Sequence, residues 1–184
     1  MRIHPVRVLA TALTLTLAGG ALAAADTIAN ANIGGVFSGD VDQSHTSYGA
    51  GVAFLGNTFG FEVEGTYTPH FFGPDNQGGT SNVTTLMGNL VLSAPLGRTA
   101  RIYASGGGGL MKFRVPDFDQ FFDVDQNDFG VDAGAGVLLR FGQSLGARAD
   151  VRYYRDVQTS SNPDRVDFGS FHYWRGAVGV TFRF

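Results

Sequence analysis

The chain has 184 residues, enough for one domain or two very small ones, with 43 % apolar and 12 % aromatic residues and a net charge of −3. That composition excludes a solvated disordered coil, and the absence of cysteine excludes a disulfide scaffold or a thiolate metal site. An excess of 16 acidic over 13 basic residues also argues against a nucleic-acid partner. Charged residues are only 16 %, against roughly 25 % in soluble domains, and 27 Gly and 16 Phe accompany them. Such a mixture suits a sheet whose outer face does not meet water.

Residues 1–25 read as an export signal. Arg2 and Arg7 form a basic start, Val8 to Ala18 an apolar stretch, and Gly19 and Gly20 break it. Ala21-Leu22-Ala23 and Ala23-Ala24-Ala25 both fit the small-x-small pattern of signal cleavage. An uncleaved helix is the alternative, but it would be short and half Ala and Gly. Without Arg2 and Arg7 the remaining chain, 26–184, is one acidic domain with 11 basic against 16 acidic residues. No second run is apolar enough for a spanning helix, so a membrane crossing would have to be made by strands.

From there a period of two recurs. Ile28 to Ser38 sets Ala29, Ala31, Ile33 and Phe37 against Asn30, Asn32 and Ser38. Tyr48, Ala50, Val52 and Phe54 alternate with Gly49, Gly51 and Ala53, and Phe59, Phe61, Val63 and Tyr67 with Gly60, Glu62, Glu64 and Thr66. Val83 to Ala94 carries Leu86, Leu90 and Leu92 on one face. Arg101 to Arg114 is strand-like, but Gly106 to Gly109 erases its contrast and leaves its faces unassigned. Phe129 to Phe141, Ala147 to Tyr154 and Phe171 to Phe184 complete a set of eight. Short turns at Gly56-Asn57-Thr58, Pro95 to Arg98 and Gly142-Gln143-Ser144 alternate with longer polar connections at 39–46, 73–82, 116–128 and 158–167. Loops sorted by end predict an all-β, eight-stranded antiparallel up-and-down transmembrane barrel.

With the apolar sets facing lipid, the opposite faces hold Glu62, Glu64, Asp132, Asp150 and Asp156 with Arg140, Arg148, Arg152, Arg175 and Arg183. A barrel of eight strands is just wide enough for side chains to fill it, so these charges are expected to pair across the lumen. The competing reading is a narrow porin-like channel. Aromatic residues collect near the strand ends: Phe54, Phe59, Phe141, Phe182 and Phe184 by the short turns, and Tyr67, Phe71, Tyr153 and Trp174 by the loops, as in the girdles of membrane barrels.

With its leader, its GARADVRYYRD segment and a final strand RGAVGVTFRF ending at Phe184, the chain resembles the OmpA-like family of small outer-membrane β-barrels. The resemblance implies an outer-membrane location, periplasmic termini and extracellular long loops. It implies contact with outer-membrane lipid and lipopolysaccharide, and it marks Phe182 and Phe184 as the signal read by the barrel-assembly machinery. It implies no single activity. No peptidoglycan-binding domain is expected behind the barrel.

Chemistry-bearing motifs are sparse. Ser170 and His172 share one face of the last strand, but the adjoining face of the seventh strand offers Tyr153 and Arg155, not the carboxylate that a lipid A-acting hydrolase needs. Asp167 could substitute without any spacing that requires it. Asp123-x-Asp125-x-Asn127 begins like a calcium loop, yet Asp128 stands where Gly is required. His45, His70 and His172 lack ligand spacing, and Gly106 to Gly109 opens no helix. The expectation is a non-enzymatic protein without a cofactor, with recognition of an unspecified surface ligand in the 116–128 segment, whose Phe118, Phe121 and Phe122 are candidate contacts.

Overall fold

A computed structural model of the chain describes residues 26–39, 44–71, 82–116, 123–157 and 171–184. The leader and Phe118, Phe121 and Phe122 lie outside the described residues. Eight strands are present: β1 (Asp26–Gly39), β2 (His45–Leu55), β3 (Phe59–Pro69), β4 (Asn82–Leu96), β5 (Ala100–Pro116), β6 (Asp123–Phe141), β7 (Leu145–Asp156) and β8 (His172–Arg183). Each pairs antiparallel with its sequence neighbours, and β1 pairs with β8, so the sheet closes into a barrel. Closure leaves no sheet edge to face hydrocarbon, where every unpaired backbone group would cost several kcal/mol.

Alternation decides which side of the wall is apolar. Leu90 is 73 % exposed and Val180 66 %, with Phe61, Leu86, Ile102, Leu110, Val131, Val151 and Val178 also outward, whereas Glu62, Glu64, Arg152 and Arg175 are at most 1 % exposed. A belt of that extent on all eight strands would be an aggregation surface in water and is the outside of a membrane barrel. The unassigned faces of β5 now resolve. Tyr103, Ser105 and Met111 point inward, and Ile102, Ala104 and Leu110 outward.

Three turns, 56–58, 97–99 and 142–144, join strands at one end, which also holds Asp26 and Phe184. Gly97 and Gly142 sit at φ 77° and 84°, a left-handed backbone that a side chain would strain. The second turn begins after Leu96, two residues later than Pro95. At the opposite end β1 ends in a register shift between Phe37 and Gly39. There Ser38, expected on the inner face, lies exposed at φ 60°. The 116–128 connection is shorter than its composition suggests, because β5 and β6 stay paired as far as Pro116 and Asp123. The residues of the supposed calcium half-motif therefore lie in a strand, not in a metal-binding loop.

Candidate functional site

The lumen is built from the inward residues of all eight strands and fills in three layers. The middle layer is ionic. β3 supplies Glu62 and Glu64, and β7, four strands away and thus across the barrel, supplies Arg148, Asp150 and Arg152. Arg148 ion-pairs with Glu62, reaches Glu64 at 3.4 Å, and donates through Nε to Asp150 at 2.6 Å. Arg152 contacts Glu62 at 2.6 Å, Glu64 at 3.2 Å, Asp132 of β6 at 3.3 Å and Asp150 at 3.5 Å. Both arginines thus brace the barrel across its diameter.

Arg175 of β8 is the register partner of Arg152, a like-charge pair directly opposite that would be unfavourable alone. Glu64 resolves it by taking Arg152 on one oxygen and Arg175 on the other, each at 3.2 Å. Arg175 also donates to Ser47 at 2.7 Å and to the Asn32 carbonyl oxygen. Neutral groups complete the shell: Tyr103 donates to Asp150 at 2.8 Å and Asn32 to Glu64 at 3.2 Å. The Arg148 guanidinium also lies over the Tyr103 ring, 5.1 Å from its centre. Charges this deeply buried are tolerable only when paired, and each of these has an opposite charge within 3.5 Å, although Asp132 Oδ1, Asp150 Oδ1 and Arg152 Nε make no hydrogen bond among the described residues. Beside them is a cavity of about 10 Å³, room for one water.

Towards the loops the filling turns apolar. Val36, Phe71, Val83, Met87, Met111, Tyr154, Phe171 and Tyr173 form one buried cluster. Tyr154 and Tyr173 stack at 4.9 Å, and Phe71 meets Tyr173 edge-on at 5.4 Å. Phe71, expected in the outer girdle, is therefore an inner residue. Its ring follows β3 at positive-φ His70, which turns the chain back over the lumen mouth. At the short-turn end the third layer is the buried cluster of Ala53, Leu55, Val91 and Tyr103, with Ile28 and Leu138 packed against it, and next to it at the turns lies a cavity of about 150 Å³.

Among the charges expected in the lumen, Glu62, Glu64, Asp132, Asp150, Arg148, Arg152 and Arg175 are brought together. Arg140 and Arg183 are not. Both have inward register but stand at the last position or last but one of their strands, where the lumen opens to water. Arg183 pairs at 2.8 Å with half-exposed Asp26, and exposed Arg140 donates to the Arg98 carbonyl at 2.5 Å. Asp156 is buried nearer the loops. Tyr103 and Ser47 are network members that alternation did not single out: Tyr103 lay on the strand whose faces were obscured by glycine, and Ser47 just ahead of the Tyr48 to Phe54 pattern.

No hydrolytic constellation is assembled among the described residues. His172 lies opposite Arg155 in register with its ring 5.8 Å from Tyr153, and Ser170 lies outside the described residues. No group of three His, Cys, Asp or Glu positioned for a metal occurs among the described residues.

Comparisons agree with this architecture. The chain matches the family model for the outer membrane protein beta-barrel domain over residues 9–184. It is similar in fold to Neisserial surface protein A (TM-score 0.62, 12 % identity, covering 86 % of this chain and 95 % of that one). It is also similar to Ail, the attachment invasion locus protein of Yersinia pestis, solved with the heparin analogue sucrose octasulfate (0.58, 12 %, 87 % and 99 %). A third similar structure is the N-terminal β-barrel domain of Pseudomonas aeruginosa OprF (0.53, 17 %, 86 % and 97 %). No curated protein matches it in sequence. A closed apolar-out barrel and a family match over nearly its whole length make one conclusion: the chain belongs to the outer membrane protein beta-barrel domain family.

Proposed function

We propose that this outer-membrane barrel is a closed, non-enzymatic scaffold that displays its long connections at the cell surface, with the short turns and both ends of the barrel domain in the periplasm. The observation that supports it best is the trans-lumenal pairing of Glu62 and Glu64 with Arg148 and Arg152, which occupies the cross-section a solute would need. The apolar cluster of Phe71, Tyr154 and Tyr173 adds a second stopper. Its partners on this reading are outer-membrane lipid and lipopolysaccharide, the barrel-assembly machinery through Phe182 and Phe184, and a surface ligand reached by the connections.

Charge narrows the surface ligand. The connections 40–44, 70–81, 117–122 and 157–171 carry Asp40, Asp42, Asp75, Asp117, Asp119, Asp164 and Asp167 against Arg165. Such a crown repels a sulfated polyanion of the kind bound in the Ail structure and favours cationic or cation-bridged partners.

Because the chain has no cysteine, single thiols report orientation cleanly. Asp42→Cys is expected to react with a membrane-impermeant maleimide on whole cells, and Asn57→Cys only after the outer membrane is opened. The reverse pattern would overturn the orientation. Mass spectrometry of lipid A from cells with and without the protein should give identical spectra. An acyl chain lost with the protein and restored by Ser170→Ala would make it a hydrolase.

A further inference from the structure

The middle of the lumen matches its arginines with carboxylates; the short-turn mouth does not. Arg98 lies in the 97–99 turn, Arg101 near the start of β5, Arg140 near the end of β6 and Arg183 at the end of β8. All four line the 150 Å³ cavity. Among the described side chains at this end Asp26 is the one carboxylate, and it is engaged by Arg183 at 2.8 Å; with the terminal carboxylate of Phe184 that makes two negative groups against four guanidinium groups.

Two of the guanidinium groups are held in place by backbone. Arg101 donates to the Gly56 carbonyl at 3.0 Å, and Arg140 to that of Arg98 at 2.5 Å. Like charges gathered on rigid turns repel one another unless an anion joins them. At the rim the cavity draws its lining from both faces of the barrel wall. Leu138 and Thr181 line it from the lumen side, while Leu139 and Leu145, exposed on the lipid side, line it from outside. A small soluble anion has no use for that apolar portion. A phosphate with an acyl chain attached would use both.

We propose that this mouth binds the phosphate of an anionic phospholipid, its headgroup on Arg98, Arg101 and Arg140 and its chain along Leu139 and Leu145. The identity of the leaflet rests on the periplasmic placement of the short turns; the binding itself does not.

The test is native mass spectrometry of the full barrel released from micelles holding equal amounts of phosphatidylglycerol and phosphatidylcholine with identical acyl chains. Wild type should retain phosphatidylglycerol in preference. The Arg98→Gln/Arg140→Gln double variant should lose that preference by about fivefold per arginine removed. Arg155→Gln, an exposed change at the opposite end, should leave it intact. Equal retention of the two lipids by wild type, or unchanged preference in the double variant, would overturn the proposal. So would complete displacement of the lipid by excess inorganic phosphate, which would mark a small-anion site. Both ends are accessible in micelles, so failure here is distinct from failure of the orientation, which maleimide labelling reads separately.

Discussion

Removing Arg152 attacks the ionic layer at its centre. Its guanidinium, fully buried, meets four carboxylates between 2.6 and 3.5 Å. In Arg152→Met the volume is nearly kept and the charge is lost. Glu62 then retains Arg148, Glu64 retains Arg148 and Arg175, and Asp150 retains Arg148. Asp132, at 4 % exposure, loses its ion pair with Arg152. Breaking a buried pair from one side costs about 3–5 kcal/mol because the remaining charge stays desolvated. Arg140→Met at the open rim should cost about 0–1 kcal/mol. Trp174, the single tryptophan, stands on the lipid face, so its fluorescence follows urea unfolding from phospholipid vesicles. Adding Asp132→Asn to Arg152→Met should restore about 1–3 kcal/mol by neutralising the orphaned acid. An Arg152→Met barrel within 1 kcal/mol of wild type would refute the reasoning about buried pairing.

Other consequences follow from the same frame. Leu90→Arg, in the apolar belt, should destabilise the barrel in vesicles by about 2–4 kcal/mol, measurable by the same urea titration. A Cβ at Gly107 would collide with the Gly88 carbonyl oxygen of β4, so Gly107→Val should cost about 1–3 kcal/mol from overpacking and lower the temperature of the heat-modifiable gel shift. Phe184→Asp should leave export intact but reduce the outer-membrane fraction sharply; normal yield on fractionation would remove Phe184 from the assembly signal. Replacing residues 117–122 with a Gly-Ser link should preserve heat-modifiable migration while abolishing any surface binding scored on whole cells.

Most of the wall was legible because a membrane barrel writes its two faces into alternate residues. Phe61, Val63, Val178 and Val180 on one side and Glu62, Glu64 and Arg175 on the other needed no tertiary information. β5 was opaque because Gly106 to Gly109 present no side chain to either face, and only pairing with Leu86 to Leu90 on β4 fixes its phase. The ends of β5 and β6 were hidden for another reason. Beyond the lipid belt a paired strand has no need of an apolar face, so residues 123–128 read as loop although their backbone is laddered to β5.

At the lumen, the sequence marked which charges turn inward but not which would meet. Pairing depends on the stagger between β3 and β7, strands that never touch through backbone, and that stagger carried Arg148 and Arg152 to Glu62 while leaving Arg140 and Arg183 at the rim. Phe71 was misplaced because a histidine, although more tolerant of positive φ than most residues, is a weaker turn signal than Gly or Asn, and the bend falls at His70. A Gly or Asn there would have announced the turn.

Planar-bilayer recording tests the central claim, that paired charges and packed rings fill this lumen, most directly. The refolded wild-type barrel, inserted and confirmed as heat-modifiable, should raise no steady conductance above the bare bilayer. Stable, reproducible openings of nanosiemens size would contradict a filled lumen and make the ionic layer the lining of a pore.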